Sequence, residues 1–85
     1  TQEVIILDVR EQDEFDEGHI PGAILLSVGT IADDTAAAVI PEPDSVVLVY
    51  CRSGNRSKTA SAVLAELGYI HIYEFINTWP YEVET

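Results

Sequence analysis

The chain has a single cysteine, Cys51, and most of its few basic side chains crowd around it in the stretch Cys51-Arg52-Ser53-Gly54-Asn55-Arg56-Ser57-Lys58. The nucleophilic form of cysteine is the thiolate. Lowering a thiol pKa by about two units takes about 2.7 kcal/mol of preferential thiolate stabilisation. Three sources are at hand. Small residues such as Ser53 and Gly54 let loop amides turn inward as an anion-binding nest. A helix starting just after the loop adds unpartnered N–H groups and the positive end of its dipole. Nearby guanidinium groups add charge-assisted hydrogen bonds. Free cysteines are most often buried and inert, but an inert one needs neither the glycine nor the arginines. Cys51 is therefore the candidate nucleophile.

The elements that must position it are legible on either side. Val46-Val47-Leu48-Val49-Tyr50 is a continuous apolar run, rich in β-branched residues, and predicts a strand buried on both faces. Lys58 to Leu67 places Ala60, Val63, Leu64 and Leu67 on one helical face, and Gly68 suits the C′ position that ends the helix. Upstream, Val4-Ile5-Ile6-Leu7 predicts a second buried strand. Gln12 to Glu17 suits a short acidic helix around Phe15. Gly18-His19-Ile20-Pro21-Gly22-Ala23 is a turn, followed by a short strand over Ala23–Leu26. Thr30 to Val39 predicts a helix with Thr30 as N-cap and Asp33 and Asp34 in its first turn, ended by Pro41-Glu42-Pro43-Asp44. Ile70–Glu74 alternates as a last strand, and Ile76–Pro80 reads as a helical turn that packs Trp79. Strands alternating with helices predict an α/β fold with a mostly parallel sheet. Cys51 then lies at the carboxyl end of a strand, where such folds place their ligands.

Composition excludes several classes. A chain of 85 residues makes one domain, burying roughly 60–65% of its unfolded surface. A hydrophobic content of 47% argues against disorder. No apolar run approaches about 18 residues and no secretory leader is visible, so a cytoplasmic location is expected. One cysteine excludes an internal disulfide, and with two dispersed histidines it makes no metal site. No cofactor is expected. The net charge of -11 makes nucleic acid or an anionic membrane an improbable partner.

Two separate motifs point to one family. Cys51 to Arg56 has the spacing C-x4-R, followed by Ser57. Leu7-Asp8-Val9-Arg10-Glu11 and Glu17-Gly18-His19-Ile20-Pro21-Gly22-Ala23 precede it in the expected order. Together they resemble the rhodanese (sulfurtransferase) family over nearly the whole chain. The resemblance implies a three-layer α/β arrangement, with a mostly parallel central sheet flanked by helices. It implies transfer of a sulfane sulfur from thiosulfate or a persulfide to a thiol or cyanide, through a persulfide on Cys51. Arg52, Ser53, Gly54, Asn55, Arg56 and Ser57 become the substrate-binding loop, and Asp8 and Arg10 structural supports. His19 is then a packing residue in its turn rather than a partner for the thiolate. Donor and acceptor are small molecules or protein-bound sulfur, with no nucleic acid or membrane involved.

Other classes compete. Cysteine-dependent phosphatases and arsenate reductases use a similar cradle, but the phosphatase loop is one residue longer. A loop closed around one sulfur atom can be tighter than one admitting a tetrahedral oxyanion, so the spacing here favours sulfur. A non-catalytic docking domain on the same fold typically lacks the nucleophile, which this chain keeps. Two departures from the family pattern stand out. The usual Gly-Gly pair before the segment Ile76-Asn77-Thr78-Trp79 is absent, Phe75 adjoining Ile76 directly. The short opening strand and helix before Val4 are absent from the sequence. The sequon Asn55-Arg56-Ser57 falls inside the loop and is a coincidence.

Overall fold

The apolar runs do pair with one another. In the computed structural model, which describes residues 4–52 and 54–76, β1 (Val4–Asp8), β2 (Ile24–Leu25), β3 (Val46–Cys51) and β4 (His71–Ile76) form one sheet in the order β2-β1-β3-β4. Every pairing is parallel, with Leu7 opposite Ile24, Ile5 opposite Val47, and Val47 opposite Ile72. Helices α1 (Gln12–Glu17), α2 (Asp33–Val39) and α3 (Asn55–Glu66) lie in the crossovers. This is the α/β architecture that strand–helix alternation predicts.

Strand order fixes where the helices lie. Parallel crossovers are right-handed in nearly all proteins. The steps β2→β3 and β3→β4 run in one direction across the sheet, so α2 and α3 share a face. The step β1→β2 runs the other way, which assigns the α1 connection to the opposite face. The core follows this division. Leu7, Val47, Val49, Ala36, Ala60 and Leu64 are all fully buried in one cluster between the sheet and helices α2 and α3. The expectation that both strands are buried on both faces fails on the other side. There Ile6, Val46 and Leu48 are half-buried and Val4 and Tyr73 are exposed. Among the described residues only the short α1 connection serves that face, and it closes the carboxyl end alone.

Local chemistry explains the element boundaries. Helix α1 opens on a capping box, in which the Glu11 N–H donates to Glu14 Oε1 at 3.0 Å. Thr30 does not cap α2. It ends a 3-10 turn, Val28–Thr30, and its hydroxyl donates to Ser27 O at 2.7 Å. Helix α2 instead starts after Ala32, whose N–H donates to Thr35 Oγ1 at 2.8 Å, with Asp33 and Asp34 in the first turn as expected. Gly68 follows α3 at φ +105°, a left-handed value suited to glycine, and Tyr69 N–H donates back to Leu64 O at 3.2 Å. Of the segment from Ile76 to Pro80, read as a helical turn, Ile76 instead ends β4, where it pairs with Cys51, and residues 77–80 lie outside the described residues, as does Ser53.

Candidate active site

Strand β3 carries the cysteine to its last residue, one position beyond the predicted strand end, and pairs it with Ile76 in β4. The adjoining pairing of Tyr50 with Phe75 also holds, so β4 runs through the point where the family's glycine pair is missing. Helix α3 begins at Asn55 rather than Lys58. Asn55, Arg56 and Ser57, predicted as loop, are therefore the first turn of the helix, and their amides belong to the set with no helical partner.

Gly54 makes the junction. Its φ of +91° lies in the left-handed region, which glycine adopts without the penalty a Cβ brings. It stands at the N-cap position and has no side chain with which to cap. The sulfur of Cys51 takes that place. Gly54 N–H donates to Sγ at 3.1 Å and Ser57 N–H at 3.3 Å. Cys51 is fully buried. Burial pushes its thiol pKa up, but hydrogen bonds from the Ser57 N–H and hydroxyl, then from the Gly54 and Arg56 amides, outweigh it and hold the thiol below its ordinary value. The Ser57 hydroxyl has one proton, which lies toward Gly54 O at 3.0 Å. It can reinforce the thiolate only by leaving that carbonyl, so the amides are the dependable donors.

The basic residues divide. Arg52 and Lys58 are exposed. Arg56 forms a bidentate pair with Glu14 of α1, Nη1 to Oε1 at 2.6 Å and Nη2 to Oε2 at 3.0 Å. That guanidinium, with help from the Glu11 N–H, holds the Glu14 carboxyl down to about 2. Sequence spacing gave no sign of this pair, whose members stand 42 residues apart.

Asp8 and Arg10 sit behind the strand end, both essentially without solvent exposure. Arg10 Nε donates to Asp8 Oδ1 at 2.9 Å and Nη2 to Oδ2 at 2.6 Å, while Nη2 also holds Gly18 O at 2.6 Å. Tyr50, a residue that sequence reasoning left as a core aromatic, completes the network. Its hydroxyl donates to Asp8 Oδ2 at 2.9 Å and accepts from Ile20 N–H at 3.0 Å. Burial leads in pushing the Tyr50 phenol up to about 12, so it stays a donor across the working range. The signal available in sequence was chemical: a tyrosine at the inner end of a core strand needs a partner for its hydroxyl. The network ties the residue before the nucleophile to β1 and to the turn at 18–20. His19 stacks on Phe15 with ring centroids 3.7 Å apart, and its Nδ1 lies 2.9 Å from Phe15 O. Among the described residues, no group of three His, Cys, Asp or Glu side chains could hold a metal ion, and no helix is long and apolar enough to cross a membrane.

A parallel sheet with a cysteine at the end of an inner strand, its sulfur accepting two amide hydrogen bonds at a helix start, is an arrangement of the rhodanese type. The family comparison agrees: residues 1–79 match the rhodanese-like domain, and the chain belongs to that family. A relative from Schizosaccharomyces pombe, provisionally named a mitochondrial thiosulfate sulfurtransferase, is 39% identical over 88% of this chain and 60% of its own length. The thiosulfate sulfurtransferase PspE of Escherichia coli is 35% identical over 78% of this chain and 62% of its own. The chain thus spans about three fifths of the length of these curated relatives. Among solved structures, a rhodanese with anions from E. coli superposes with a TM-score of 0.78 at 30% identity, covering 84% of this chain and 82% of that one.

Proposed function

We propose that this domain is a sulfurtransferase that carries sulfane sulfur on Cys51. The thiolate attacks the outer sulfur of thiosulfate or of a persulfide. A new S–S bond forms, the donor's S–S bond breaks, and sulfite or a thiolate leaves with the bonding pair. Cys51 then bears a terminal anionic sulfur. A nucleophile, cyanide in an assay or a thiol in the cell, takes that sulfur and returns the electron pair to Cys51.

The observation that carries this reading is the pair of N–H donors, Gly54 and Ser57, at 3.1 and 3.3 Å from Sγ. Such donors favour a negative sulfur before transfer and suit the anionic outer sulfur after it. Arg52 and Asn55, both exposed, are donor-binding residues in this reading, with Arg52 drawing in anionic donors; Ser53 joins them as part of the same loop sequence. Arg56 braces the first turn of α3 through Glu14. Asp8 and Arg10 hold the strand end from behind. A compartment that keeps thiols reduced suits the chemistry. The cytoplasm is the one we favour, although the S. pombe relative's name assigns that protein to mitochondria.

The test is intact mass after incubation with thiosulfate. The protein gains one sulfur atom, cyanide removes it as thiocyanate, and Cys51→Ser gains none. A chain that gains no sulfur, or gains it without Cys51, defeats the proposal.

A further inference from the structure

The Glu14–Arg56 pair bears on which anions the site accepts. A guanidinium grips a carboxylate, sulfate or phosphate through the same planar fork of N–H donors. Here Glu14 already takes both terminal nitrogens of Arg56, at 2.6 and 3.0 Å. The carboxylate is itself held in place, because Oε1 also accepts the Glu11 N–H at 3.0 Å in the capping box of α1. The pair is partly shielded, with 32% of the Arg56 side chain and 26% of that of Glu14 exposed. Meanwhile Cys51 draws its hydrogen bonds from backbone amides and needs no guanidinium contact. The residue ending the C-x4-R motif is thus engaged elsewhere.

We propose that Glu14 is a positioning residue that sets anion selectivity: by occupying the fork of Arg56, it withholds that side chain from oxyanions and leaves the loop suited to sulfur held by amides. The inference deepens the sulfurtransferase reading and rests on Cys51 being the reacting group. It implies that a persulfide, whose outer sulfur asks only for amide donors, fits this site better than a donor that must be gripped by a sulfonate.

Glu14→Gln tests it. Glutamine keeps an oxygen for the Glu11 N–H, as capping boxes allow, but cannot neutralise Arg56. The probes are sodium sulfate and inorganic phosphate, read by how well each protects Cys51 from iodoacetamide. Protection is expected at about tenfold lower anion concentration in Glu14→Gln than in the parent protein, the factor that one added charge-assisted contact supplies. The KM for thiosulfate falls by a similar factor with kcat kept, while the KM for a small alkyl persulfide, which carries no sulfonate to grip, stays put. Glu17→Gln, the same charge change at the other end of α1, leaves all of these unchanged. Unaltered anion protection in folded Glu14→Gln overturns the proposal, as does an equal gain in Glu17→Gln. Loss of kcat with both donors and no gain in anion affinity marks Glu14 as structural only, which also overturns it. Should Glu14→Gln not fold, Glu14→Asp keeps the charge but shortens the reach to the fork, and a partial gain is expected; no gain in Glu14→Asp counts against the idea. Protection from alkylation requires no sulfur transfer, so this result stands apart from whether thiosulfate is a donor.

Discussion

Cys51 sits under two opposed influences, burial and a set of backbone donors, and the donors prevail. Its alkylation by iodoacetamide is therefore expected to titrate with a midpoint below the ordinary 9.0. The sign for stability follows. A group whose folded pKa is depressed stabilises the fold above its unfolded pKa, and that contribution is lost as pH falls through the folded value. Comparing the parent with Cys51→Ser in urea, as a function of pH, gives the second measurement. A midpoint at or above 9.0 would mean that burial wins. At this scale the sequence singled out the candidate nucleophile, because a lone cysteine beside glycine and arginines is a chemical statement by itself. It was silent about Glu14. An ion pair that joins α1 to α3 leaves no mark on local spacing, and one carboxylate among fifteen looks like the rest. Nor did it assign Arg56 to the helix or Tyr50 to the Asp8–Arg10 network, since both depend on which segments fold against each other.

Among the elements, the junction between β3 and α3 is the sensitive one. At Gly54 an added Cβ would meet nothing within 4 Å, so the cost of Gly54→Ala is one of backbone conformation alone. A left-handed residue other than glycine costs roughly 1–2 kcal/mol. For a domain of this size that corresponds to a drop in Tm of about 4–8 °C per kcal/mol. Thermal unfolding should show that drop, together with slower alkylation of Cys51 as the Gly54 amide moves off the sulfur. A Tm equal to that of the parent would show that the left-handed conformation is not required. The strands were legible because continuous apolar runs admit few other structures. The start of α3 was not, because Asn55-Arg56-Ser57 is polar and carries no apolar period. The N-cap of α2 was misassigned for a related reason. Thr30 has the right side chain, but the preceding 3-10 turn claims its hydroxyl, and Thr35 serves from inside the helix.

At the level of the whole molecule, charge sets the approach of substrates. The net charge is -11, and with Arg56 offset by Glu14 only Arg52 and Lys58 of the loop's basic residues stay exposed against it. At about 0.01 M salt the Debye length of about 30 Å is comparable to the longest extent of the molecule, 31 Å, so a dianion meets the summed repulsion; at 0.15 M only charges within about 8 Å matter. The kcat/KM for thiosulfate is therefore expected to rise with ionic strength over that range, while that for a small alkyl persulfide, with one negative charge at most, rises less. A fall with salt would assign control to Arg52 and Lys58 instead. The alternation of strands and helices along the chain was readable at this scale, but the order β2-β1-β3-β4 was not, since it depends on which strands pair. The uneven covering of the sheet was not. An all-apolar strand announces burial without saying that Val4 on its outer face stays exposed.

Helix α3 has no capping side chain at its N-cap to receive its first amides, and the Cys51 sulfur takes them instead. Chemistry at residue 51 and the ordering of the helix's opening turn are therefore two sides of one equilibrium. Whatever adds negative charge to the sulfur tightens the turn, and whatever removes it lets the turn slacken, so the domain's covalent state is written into its backbone.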